Sequence, residues 1–512
     1  MTAYFGCSLK IVRCLVVFLC STRMAATPIS EVFMDLDHIH KADASNGDTW
    51  DPFWADDGQL YAFNCDGRGF GKQARNLAFN ELLGDTPEKL TGRIINSMDE
   101  YGRGSQRGPD RATWKALGQE CIDGVFYCFV SRHTYGNESK DEYLRQTAIN
   151  ASLIKSTDRG LTWTRTAAEN YAHPMWPGGR FGAPYFIHYG QNGGSDANDA
   201  ADQFVYAISN NGFWDDGDDY ILGRAPRNKI ANLNASDWSY YTGGDGLSAQ
   251  NWSGDISNAV PILKAPRRCS TTAPCYIPAL RVYLTAVWYT AGKLPSWFQP
   301  NEMRCDFYQA EHPWGPWMYI NTCSDKFLSP PGHLYGPNIC AKFQEKIGNG
   351  VRVWMFNSGC PFKDAPEGLY KLWEIPLVLR TGPLPNVTWI NDGGRAVVYR
   401  GSWVASRQRG FSDYKDDVHY TTAVGDSVQC KFDGTGVEYI TEKSGEQGRV
   451  DVYLDGKLKQ HLNLQTTNFP RISQVTVFRM TDLPRGPHVI KLVNRGGGAA
   501  VLNGFKVLDA SP

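Results

Sequence analysis

Val125-Phe-Tyr-Cys-Phe-Val130 is a run of aromatic and β-branched residues that is typical of a buried β-strand. Similar runs recur along the chain, and most follow a turn that contains glycine or asparagine. The other four are Leu60–Asn64, Phe204–Ile208, Val282–Val287 and Val351–Phe356. One aromatic residue in each run aligns with the next at spacings of 66, 79, 77 and 71 (Tyr61, Tyr127, Tyr206, Tyr283 and Trp354). The repeat therefore has a period of roughly seventy residues.

Five repeats of this kind, over residues 44–380, predict a five-bladed β-propeller in which each blade is a small antiparallel sheet. A strand is expected before the run at Pro52–Trp54, Ala183–Ile187 and Asn338–Phe343. Convincing long amphipathic helices are absent. The alternative is a pair of β-sandwiches in which the similar spacing arises by chance.

Ser156-Thr-Asp-Arg-Gly-Leu-Thr-Trp163 has the form of an Asp-box. Its aspartate and glycine favour a tight turn, and its tryptophan is suited to pack beneath that turn. The motif is typical of propeller blades, and we expect it to be structural and remote from the active site.

The chain changes character at residues 381–395, which are rich in glycine, proline and asparagine and predict a linker. Residues 396–512 then alternate in short strands, which predicts a second domain with a β-sandwich fold. The expected strands are Ser427–Phe432, Val437–Ile440, Arg449–Leu454, Gln474–Phe478 and His488–Val493. The fold class is thus all-β: a five-bladed propeller followed by a sandwich.

Composition narrows the classes of function. The 512 residues include 52 Lys and Arg against 53 Asp and Glu, so no excess of positive charge is available to bind nucleic acid. No apolar run is long enough to span a bilayer. We expect a monomeric globular protein without a nucleic-acid partner or a membrane span.

The first residues resemble an export signal. Lys10 and Arg13 precede or begin an apolar stretch over residues 14–20, and small residues follow at Ala25 and Ala26. Residues 1–26 are therefore predicted to be a signal peptide of a secreted, extracellular protein, with a buried strand as the alternative. Five Asn-x-Ser/Thr sequons support export, at Asn137, Asn150, Asn234, Asn251 and Asn386.

The cysteines point to the same compartment. Three of the 13 lie in the predicted signal, which leaves ten, and their spacing does not fit a zinc site. We expect mostly disulfides, as in an oxidising environment. Plausible local pairs are Cys269–Cys275, Cys305–Cys323 and Cys340–Cys360.

The first repeat carries the strongest candidates for catalysis. Asp48 and Asp51 precede its hairpin and Asp66 follows it, so the hairpin brings Asp48 or Asp51 to face Asp66. Paired carboxylates are what cleavage of a glycosidic bond requires: one protonates the leaving oxygen, and the other attacks or activates water. Asp-Gly and Asp-Pro are also ordinary turn sequences, so a structural role for these residues stays open.

The second repeat ends in Ser131-Arg-His-Thr-Tyr135, where Arg132, His133 and Tyr135 are suited to bind an acidic sugar or to transfer protons. A hydrogen-bonded surface loop is the alternative. His133 is a further catalytic candidate. The expected substrate-binding residues are planar hydrogen-bonding and aromatic side chains at the strand ends, namely Arg68, Arg132, Tyr135, Arg180, Asn211, Trp214, Trp288 and Asn338.

No metal site is predicted, and no cofactor is expected to be required. The acidic run Asp215–Asp219 is only loosely similar to a calcium loop, so a structural or active-site calcium ion stays an open option. Signatures of serine hydrolases, phosphate-binding loops, zinc proteases and dinucleotide-binding domains are absent.

Several segments resemble known families. Asp51–Tyr61 looks like the first blade of arabinanase- and xylosidase-type glycosidases, a likeness that implies a base at Asp51. A wider resemblance is to secreted bacterial and fungal glycosyl hydrolase-like propellers, related to enzymes that cleave D-arabinan with two aspartates of the first blade. That resemblance implies Asp48 and Asp66. It rests on Asp66–Phe70, Met98–Gly102, Ser131–Tyr135, Phe181–Tyr185, Ser209–Trp214, His312–Trp317 and the Asp-box.

Sialidases also contain Asp-boxes, but their arginine triad is not found convincingly here. The region after residue 396 resembles the β-sandwich modules of secreted glycosidases through Gly434–Val437 and Val450–Gly456, and it either binds glycan or acts as a spacer.

The residues together predict a secreted glycoside hydrolase that acts on a polysaccharide or glycoconjugate. One alternative is a polysaccharide lyase, in which His133 and Tyr135 transfer protons and Arg132 or Arg180 neutralises a uronate. The other is a non-catalytic glycan-binding propeller.

Overall fold

The computed structural model describes residues 25–136, 145–194, 203–290, 302–329, 332–348, 350–359, 368–466 and 471–509. Almost all regular structure in these ranges is β, in 35 strands, and the single α-helix is α1 (Ala167–Ala172). The all-β prediction is confirmed. Short 3-10 turns lie at Leu36–His38, Pro87–Lys89, Asp99–Tyr101, Gln191–Gly193, Arg227–Asn232, Ala235–Asp237, Ala249–Asn251, Ile256–Asn258 and Tyr414–Asp416.

Some predictions fall on parts of the chain outside these ranges. Residues 1–24 of the predicted signal, the sequon at Asn137, and Cys360 of the third cysteine pair are among them. Within the described ranges, no helix has the length and apolar character needed to cross a bilayer.

Five antiparallel sheets succeed one another in the first part of the chain. Sheet 1 contains β3 (Phe53–Trp54), β4 (Leu60–Gly67), β5 (Arg75–Leu83) and β6 (Thr91–Asn96). Sheet 2 contains β7 (Thr113–Ile122), β8 (Val125–Thr134) and β9 (Thr147–Ser156). Sheet 3 contains β10 (Pro184–Phe186), β11 (Phe204–Asn210), β12 (Gly217–Pro226), β13 (Ser239–Tyr241), β14 (Trp252–Ser253) and β15 (Leu263–Cys269).

Sheet 4 contains β16 (Cys275–Ile277), β17 (Val282–Thr290), β18 (Met303–Ala310) and β19 (Met318–Ser324). Sheet 5 joins the two ends of this region. It contains β21 (Tyr335–Ile347), β22 (Gly350–Ser358) and β23 (Leu372–Thr381), together with β1 (Ile29–Met34) and β2 (His40–Lys41), which both pair with β23. The sheet region therefore begins before residue 44, where the sequence placed its start.

The five apolar runs that define the repeat all form strands, and each is the second strand of a different sheet: β4, β8, β11, β17 and β22. Each pairs with the strand before it, namely β3, β7, β10, β16 and β21. The predicted repeat of hairpins is confirmed at this level.

The first strands of the five sheets also contact one another in a closed cycle. β3 contacts β7, β7 contacts β10, β16 contacts β21, and β21 returns to β3. The remaining step is a parallel bridge between His188, just after β10, and Cys275 in β16. Gly118 allows the close approach of β7 to β10, because a Cβ there would overlap the backbone of Tyr185. The centre of this region is thus lined by five strands that begin five sheets.

The turn at Ser156–Trp163 links sheets 1 and 2. The Asp158 carboxylate accepts hydrogen bonds from the backbone and hydroxyl of Thr162, at 2.9 and 2.6 Å. The Trp163 ring packs against Phe63 and Phe79 of sheet 1, with centroids 5.1 and 5.2 Å away. These contacts give the motif a packing role.

Three further sheets form the C-terminal part. Sheet 6 contains β20 (Leu328–Ser329), β24 (Asn386–Asn391), β29 (Gly436–Ser444), β32 (Arg471–Met480) and β35 (Gly504–Asp509). Sheet 7 contains β25 (Val397–Arg400), β28 (Ser427–Gly434), β30 (Arg449–Leu454), β31 (Lys457–Asn463) and β33 (Gly486–Gly496). Sheet 8 contains β26 (Val404–Arg407), β27 (Asp417–Thr421) and β34 (Ala500–Leu502).

The five strands predicted in this part all exist, but the predicted linker 381–395 differs from the structure. Its residues Asn386–Asn391 form β24, which pairs along its whole length with β35. Alternation of Val387 and Trp389 with polar residues satisfies a strand pattern that the flanking glycines and prolines had masked.

The predicted disulfides Cys269–Cys275 and Cys305–Cys323 are wrong, because all nine described cysteines are free thiols. Cys269 ends β15 of sheet 3, whereas Cys275 begins β16 of sheet 4. Cys305 and Cys323 face each other across β18 and β19, but the Cys323 thiol lies 3.3 Å from the Val32 carbonyl oxygen and bonds to it instead. Eight of the nine cysteines are buried, and they pack as small apolar side chains.

Candidate active site

Asp48 and Asp66 come together at one end of sheet 1. The backbone of Asp48 exchanges hydrogen bonds with that of Cys65, at 3.0 and 2.8 Å, and Asp66 is the next residue of β4. The two carboxyl groups are close enough for the charge of Asp66 to raise the pKa of Asp48. The hairpin therefore brings Asp48 next to Asp66. This is one of the two pairings that the sequence predicts.

Lys115, on β7 of the neighbouring sheet, supplies the positive charge of this site. Its ammonium group contacts the Asp66 carboxylate, and only 2% of its side chain is exposed. Burial opposes its charge, but Asp66, Tyr135 and Asp48 outweigh that effect and raise the pKa of Lys115 well above its usual value. A buried ammonium therefore lies among two carboxyl groups and a phenol.

The two carboxylate oxygens of Asp66 have different surroundings. Its Oδ2 accepts a hydrogen bond from the Tyr135 hydroxyl at 2.8 Å and contacts Lys115. Its Oδ1 has no hydrogen-bond partner among the described residues. Asp66 also has a φ of +47°, a strained backbone conformation of the kind that clusters at functional sites. The Asp66 side chain is 16% exposed, although its Oδ1 is buried.

Asp48 differs from Asp66 in being fully enclosed. Burial raises the pKa of Asp48 to about 7, although the charge of Lys115 acts in the opposite direction. A carboxyl group of this kind carries a proton in weakly acidic solution, so Asp48 is suited to donate a proton.

Asp51 lies in a separate buried cluster, which we call the axial triad: Asp51, His188 and Glu120. The His188 imidazole stands between the two carboxylates, with Nε2 2.8 Å from Asp51 Oδ1 and Nδ1 2.9 Å from Glu120 Oε2. Burial opposes protonation of His188, but the two carboxylate charges outweigh it and raise its pKa to about 10. The other Asp51 oxygen accepts from the Gln119 backbone at 3.0 Å.

All three side chains of the axial triad are at most 3% exposed. They come from sheets 1, 2 and 3, so the triad ties together the first strands around the centre. Asp51 therefore has a structural role, and its partners differ from those of Asp66.

His133 is buried and electrically neutral. Burial and the charge of Lys115 hold the pKa of His133 well below its usual value. Its Nε2 lies 2.8 Å from the Gln146 side-chain oxygen, and its Nδ1 has no hydrogen-bond partner among the described residues. The imidazole packs edge-on against Tyr135, with centroids 4.6 Å apart. His133 therefore borders the Asp66 site with 1% of its surface exposed.

Trp214 and Trp288 form an aromatic wall beneath the site. Trp214 Nε1 donates to the Tyr335 hydroxyl at 2.8 Å, and the Lys115 ammonium lies 5.8 Å from the Trp214 ring centre. Trp288 packs against Tyr335 at 4.7 Å and donates to the Thr271 carbonyl. Both tryptophans are at most 1% exposed, so the geometry makes them supports of the site rather than open platforms.

The predicted substrate-binding arginines bind other parts of the protein. Arg132 forms a two-bond contact with Asp110, at 2.9 and 2.7 Å, and lies over the Trp114 ring. Arg180 Nη1 lies 2.9 Å from Asp219 Oδ1. Arg68 donates to the Gly71 carbonyl at 2.9 Å.

The two predicted asparagines also have internal partners. Asn338 is buried and joins sheets, because its oxygen accepts from the Ala273 backbone and its amide donates to the Trp50 carbonyl, at 2.8 and 3.0 Å. Asn211 exchanges hydrogen bonds with Asp218 through both ends of its amide. Of the eight substrate-binding candidates, Tyr135 is the one in direct contact with Asp66.

The acidic loop at 215–219 is neutralised by arginines. Arg145 binds both Asp216 and Asp218, Arg267 binds Asp216, and Arg180 binds Asp219. Guanidinium groups thus take the place that a cation would need. Across the described ranges, no group of three or more His, Cys, Asp or Glu side chains is placed to hold a metal ion.

Sequence reasoning missed Lys115, His188 and Glu120. Each is a charged or titratable residue within or next to a strand of buried residues. Such residues are seldom buried without a partner, so this pattern indicates a buried charged cluster. The partners themselves lie 49 to 137 positions away in the sequence.

Comparisons with known proteins give short or distant likenesses. No protein-family model matches the chain. Two curated relatives come from Flavonifractor plautii. An A type blood α-D-galactosamine galactosaminidase is 30% identical over 110 residues, which are 22% of this chain and 10% of the relative. An A type blood N-acetyl-α-D-galactosamine deacetylase is 28% identical over 111 residues, which are 22% of this chain and 14% of the relative. The chain spans only about a tenth of their lengths.

Solved structures are similar only at low TM-scores. An exo-inulinase from Aspergillus awamori has a TM-score of 0.42 and 10% identity, with 92% of this chain and 98% of that chain covered. An exo-β-1,3-galactanase from Phanerochaete chrysosporium has a TM-score of 0.38 and 10% identity, with 92% and 100% covered. At these scores the likeness supports no conclusion about activity.

Proposed function

We propose that this protein is a secreted glycoside hydrolase whose Asp48 and Asp66 cleave a glycosidic bond at the centre of a five-bladed β-propeller. The C-terminal sheets form a β-sandwich module in this proposal. The observation that carries it is the unequal pair: a partly exposed Asp66 whose buried Oδ1 has no hydrogen-bond partner among the described residues, beside an enclosed Asp48 whose pKa is about 7.

The closed cycle of first strands supports the propeller. Five consecutive sheets, each begun by a strand of that cycle, are what five blades around an axis require. Pairing of β1 with β23 closes the last blade with the start of the chain. Exposed sequons at Asn234 and Asn386 support an extracellular location, since a glycan needs an accessible asparagine.

The two aspartates have different roles in this proposal. Lys115 and Tyr135 stabilise the negative charge of Asp66, which acts on the anomeric carbon or on water in this proposal. Asp48 carries the proton that the leaving oxygen needs, because burial favours its neutral form. The charge of Asp66 opposes loss of the Asp48 proton, and the charge of Lys115 favours it.

The curated relatives support a carbohydrate substrate. Both are named for reactions on galactosamine-type sugars of blood group A structures. Because they carry out different reactions, a similar segment of about a fifth of this chain does not select one reaction by itself. Galactosamine and N-acetylgalactosamine glycosides therefore belong in the substrate panel.

The contacts of the basic residues weigh against a lyase. A lyase needs a cation free to neutralise a uronate, whereas Arg132 and Arg180 already bind aspartates. A purely glycan-binding propeller does not require a carboxyl group with a raised pKa beside a second carboxylate.

The test is to incubate the purified protein with plant, fungal and bacterial polysaccharides and with α-linked galactosamine and N-acetylgalactosamine glycosides. New reducing ends without ultraviolet absorbance from unsaturated uronates are expected. Asp66→Asn should lower the rate by about 10²–10⁴-fold, the usual contribution of such a group. Asp85→Asn, an exposed turn residue of the same sheet, is the matched control and should leave the rate unchanged.

Reducing ends accompanied by that absorbance identify a lyase. Glycan retention without any cleavage identifies a binding protein. Cleavage that persists in Asp66→Asn refutes the assigned pair.

A further inference from the structure

The C-terminal part contains a pocket of about 670 Å³ that lies apart from the Asp66 site in the sequence and in its sheets. One wall is sheet 8, through residues of β26, β27 and β34, and the other residues come from β29, β32 and the segments that follow β26 and β29. Its volume falls in the range of small-ligand sites, which is roughly 300–1,000 Å³.

The centre of the pocket is a buried carboxylate held by three donors. Glu442, with 3% of its side chain exposed, accepts from Arg409 Nη2 at 2.6 Å and from Gln447 Nε2 at 2.7 Å, and it also contacts Arg471. These bonds fix the orientation of each side chain before any ligand arrives. A polar wall with such fixed donors and acceptors is costly to bury, and it is typical of a recognition site.

Gln447 leaves one acceptor without a donor. Its amide nitrogen is committed to Glu442 and lies 3.3 Å from Ser444 Oγ, so its orientation is determined. Its Oε1 is buried and has no hydrogen-bond partner among the described residues. A ligand group that donates a hydrogen bond next to Glu442 would satisfy this oxygen, whereas a carboxylate or phosphate would not, because it only accepts.

An aromatic side chain stands at the edge of the pocket. Phe411 is 42% exposed, and the guanidinium groups of Arg471 and Arg409 lie 4.5 and 5.4 Å from its ring centre. Tyr420, 36% exposed, is a second aromatic of the lining. Exposed rings beside planar hydrogen-bonding groups match a ligand with both apolar C–H faces and hydroxyl groups.

The segment that carries Phe411 is held in an unusual backbone conformation. Five residues between 408 and 416 have φ values near +60°, namely Gln408, Gly410, Ser412, Lys415 and Asp416. Four of them are not glycine, and each such residue costs free energy that the surroundings must offset. In this conformation Phe411 lies beside Arg409 and Arg471, the two arginines that bind Glu442.

From this arrangement we infer that the pocket lined by Arg409, Phe411, Glu442, Gln447 and Arg471 is a second carbohydrate site, which binds a neutral hexose or N-acetylhexosamine unit. Sugar hydroxyls both donate and accept, so they satisfy Gln447 and the arginines together, and the sugar face stacks on Phe411. The site holds the glycan and performs no bond cleavage. It does not depend on the proposed hydrolase activity.

The experiment is calorimetric titration of the full chain with D-galactose, N-acetyl-D-galactosamine, D-glucose and D-galacturonate, each to millimolar concentration. At least one neutral probe should bind at one saturable site. Phe411→Ala should weaken that binding about three- to tenfold, the usual effect of losing one aromatic contact. Glu442→Gln should weaken it about tenfold or more, as expected when a charge-assisted network loses its acceptor.

Leu458→Ala is the matched control, because Leu458 is an equally exposed apolar residue, 45%, on β31 and outside the pocket. It should bind as the unchanged protein does, and thermal melting confirms that all variants are folded. Binding of galacturonate alone, binding that Phe411→Ala and Glu442→Gln leave unchanged, or no binding of a neutral probe would each overturn the inference. Asp66→Asn should retain this binding, which separates the pocket from the hydrolase site.

Discussion

Replacing His188 by alanine tests the axial triad most directly. The substitution removes an imidazolium that lies within 2.9 Å of both Asp51 and Glu120, and it leaves two carboxyl groups that are at most 3% exposed. Breaking a buried ion pair by removing one partner costs about 3–5 kcal/mol, because the remaining charge has no compensation. That is a large part of the roughly 5–15 kcal/mol that stabilises a typical native protein.

The pH dependence gives the charge explanation a second, independent signature. In the unchanged protein the raised pKa of His188 contributes stability in full below the unfolded-state value of about 6.5, and that contribution is lost as pH rises through about 10. In His188→Ala the buried carboxyl groups hold protons more tightly than in the unfolded chain. The loss of unfolding free energy caused by His188→Ala should therefore grow between about pH 5 and about pH 6.5. Over that range, the contribution of His188 to the stability of the unchanged protein changes little.

The measurement is urea unfolding followed by tryptophan fluorescence at both pH values. His461→Ala is the control, since His461 lies 2.6 Å from Asp451 but is 75% exposed, and an exposed pair contributes about 0–1 kcal/mol. Adding Asp51→Asn to His188→Ala should recover part of the loss. Equal effects of His188→Ala and His461→Ala, or a penalty independent of pH, would refute the assignment of His188 as a buried cation.

Three further predictions concern the Asp66 site and the thiols. Tyr135→Phe removes a donor to the Asp66 carboxylate and should lower kcat about tenfold or more with KM nearly unchanged, measured by initial rates on the substrate identified by the panel. Asp48→Asn removes the proposed proton donor, so it should lower kcat/KM about 10²–10⁴-fold and remove the further loss that we expect above about pH 7. It should also stabilise the protein at pH 8 relative to pH 4, because the raised pKa of Asp48 means that its charged form costs stability as pH rises from about 4 to 7. Alkylation without reductant should label few cysteines in the native protein and at least the nine described thiols after denaturation, counted by intact mass; protection of Cys305 and Cys323 in the denatured protein would contradict the free-thiol assignment.

Much of the fold could be read from the sequence because strands are local. The five apolar runs contain the information for their own pairing: β-branched and aromatic residues, a turn before them, and polar residues after them. Each run therefore became the second strand of a sheet. The strand at Asn386–Asn391 was missed because its apolar residues lie between turn-forming residues that dominate a local window.

The start of the five-sheet region shows what local patterns omit. β1 completes sheet 5 by pairing Val32 with Leu379, more than 340 residues away. Nothing in Ile29–Met34 identifies that partner, since any exposed sheet edge would satisfy the same backbone groups. Closure of the region is a property of the assembled sheets.

The candidate site was only partly accessible to sequence reasoning for a related reason. Asp48 and Asp66 were paired correctly because one hairpin connects them, and a hairpin is a short-range feature. Asp51 shares that hairpin but turns to His188, which lies 137 positions away in another sheet. Local spacing treats Asp48 and Asp51 as equivalent, and only the neighbouring sheets distinguish them.

Lys115 shows why those neighbouring sheets decide the chemistry. Its contact with Asp66 crosses from sheet 2 to sheet 1, and its charge acts on both aspartates. Lys115 favours the charged form of both aspartates, because it lowers the pKa of Asp48 and pairs with the Asp66 carboxylate. Burial is what distinguishes the two, since it raises the pKa of Asp48 despite Lys115. The proposed proton donor therefore arises from how the neighbouring sheets enclose Asp48, and the lysine of the adjacent strand limits the size of that effect.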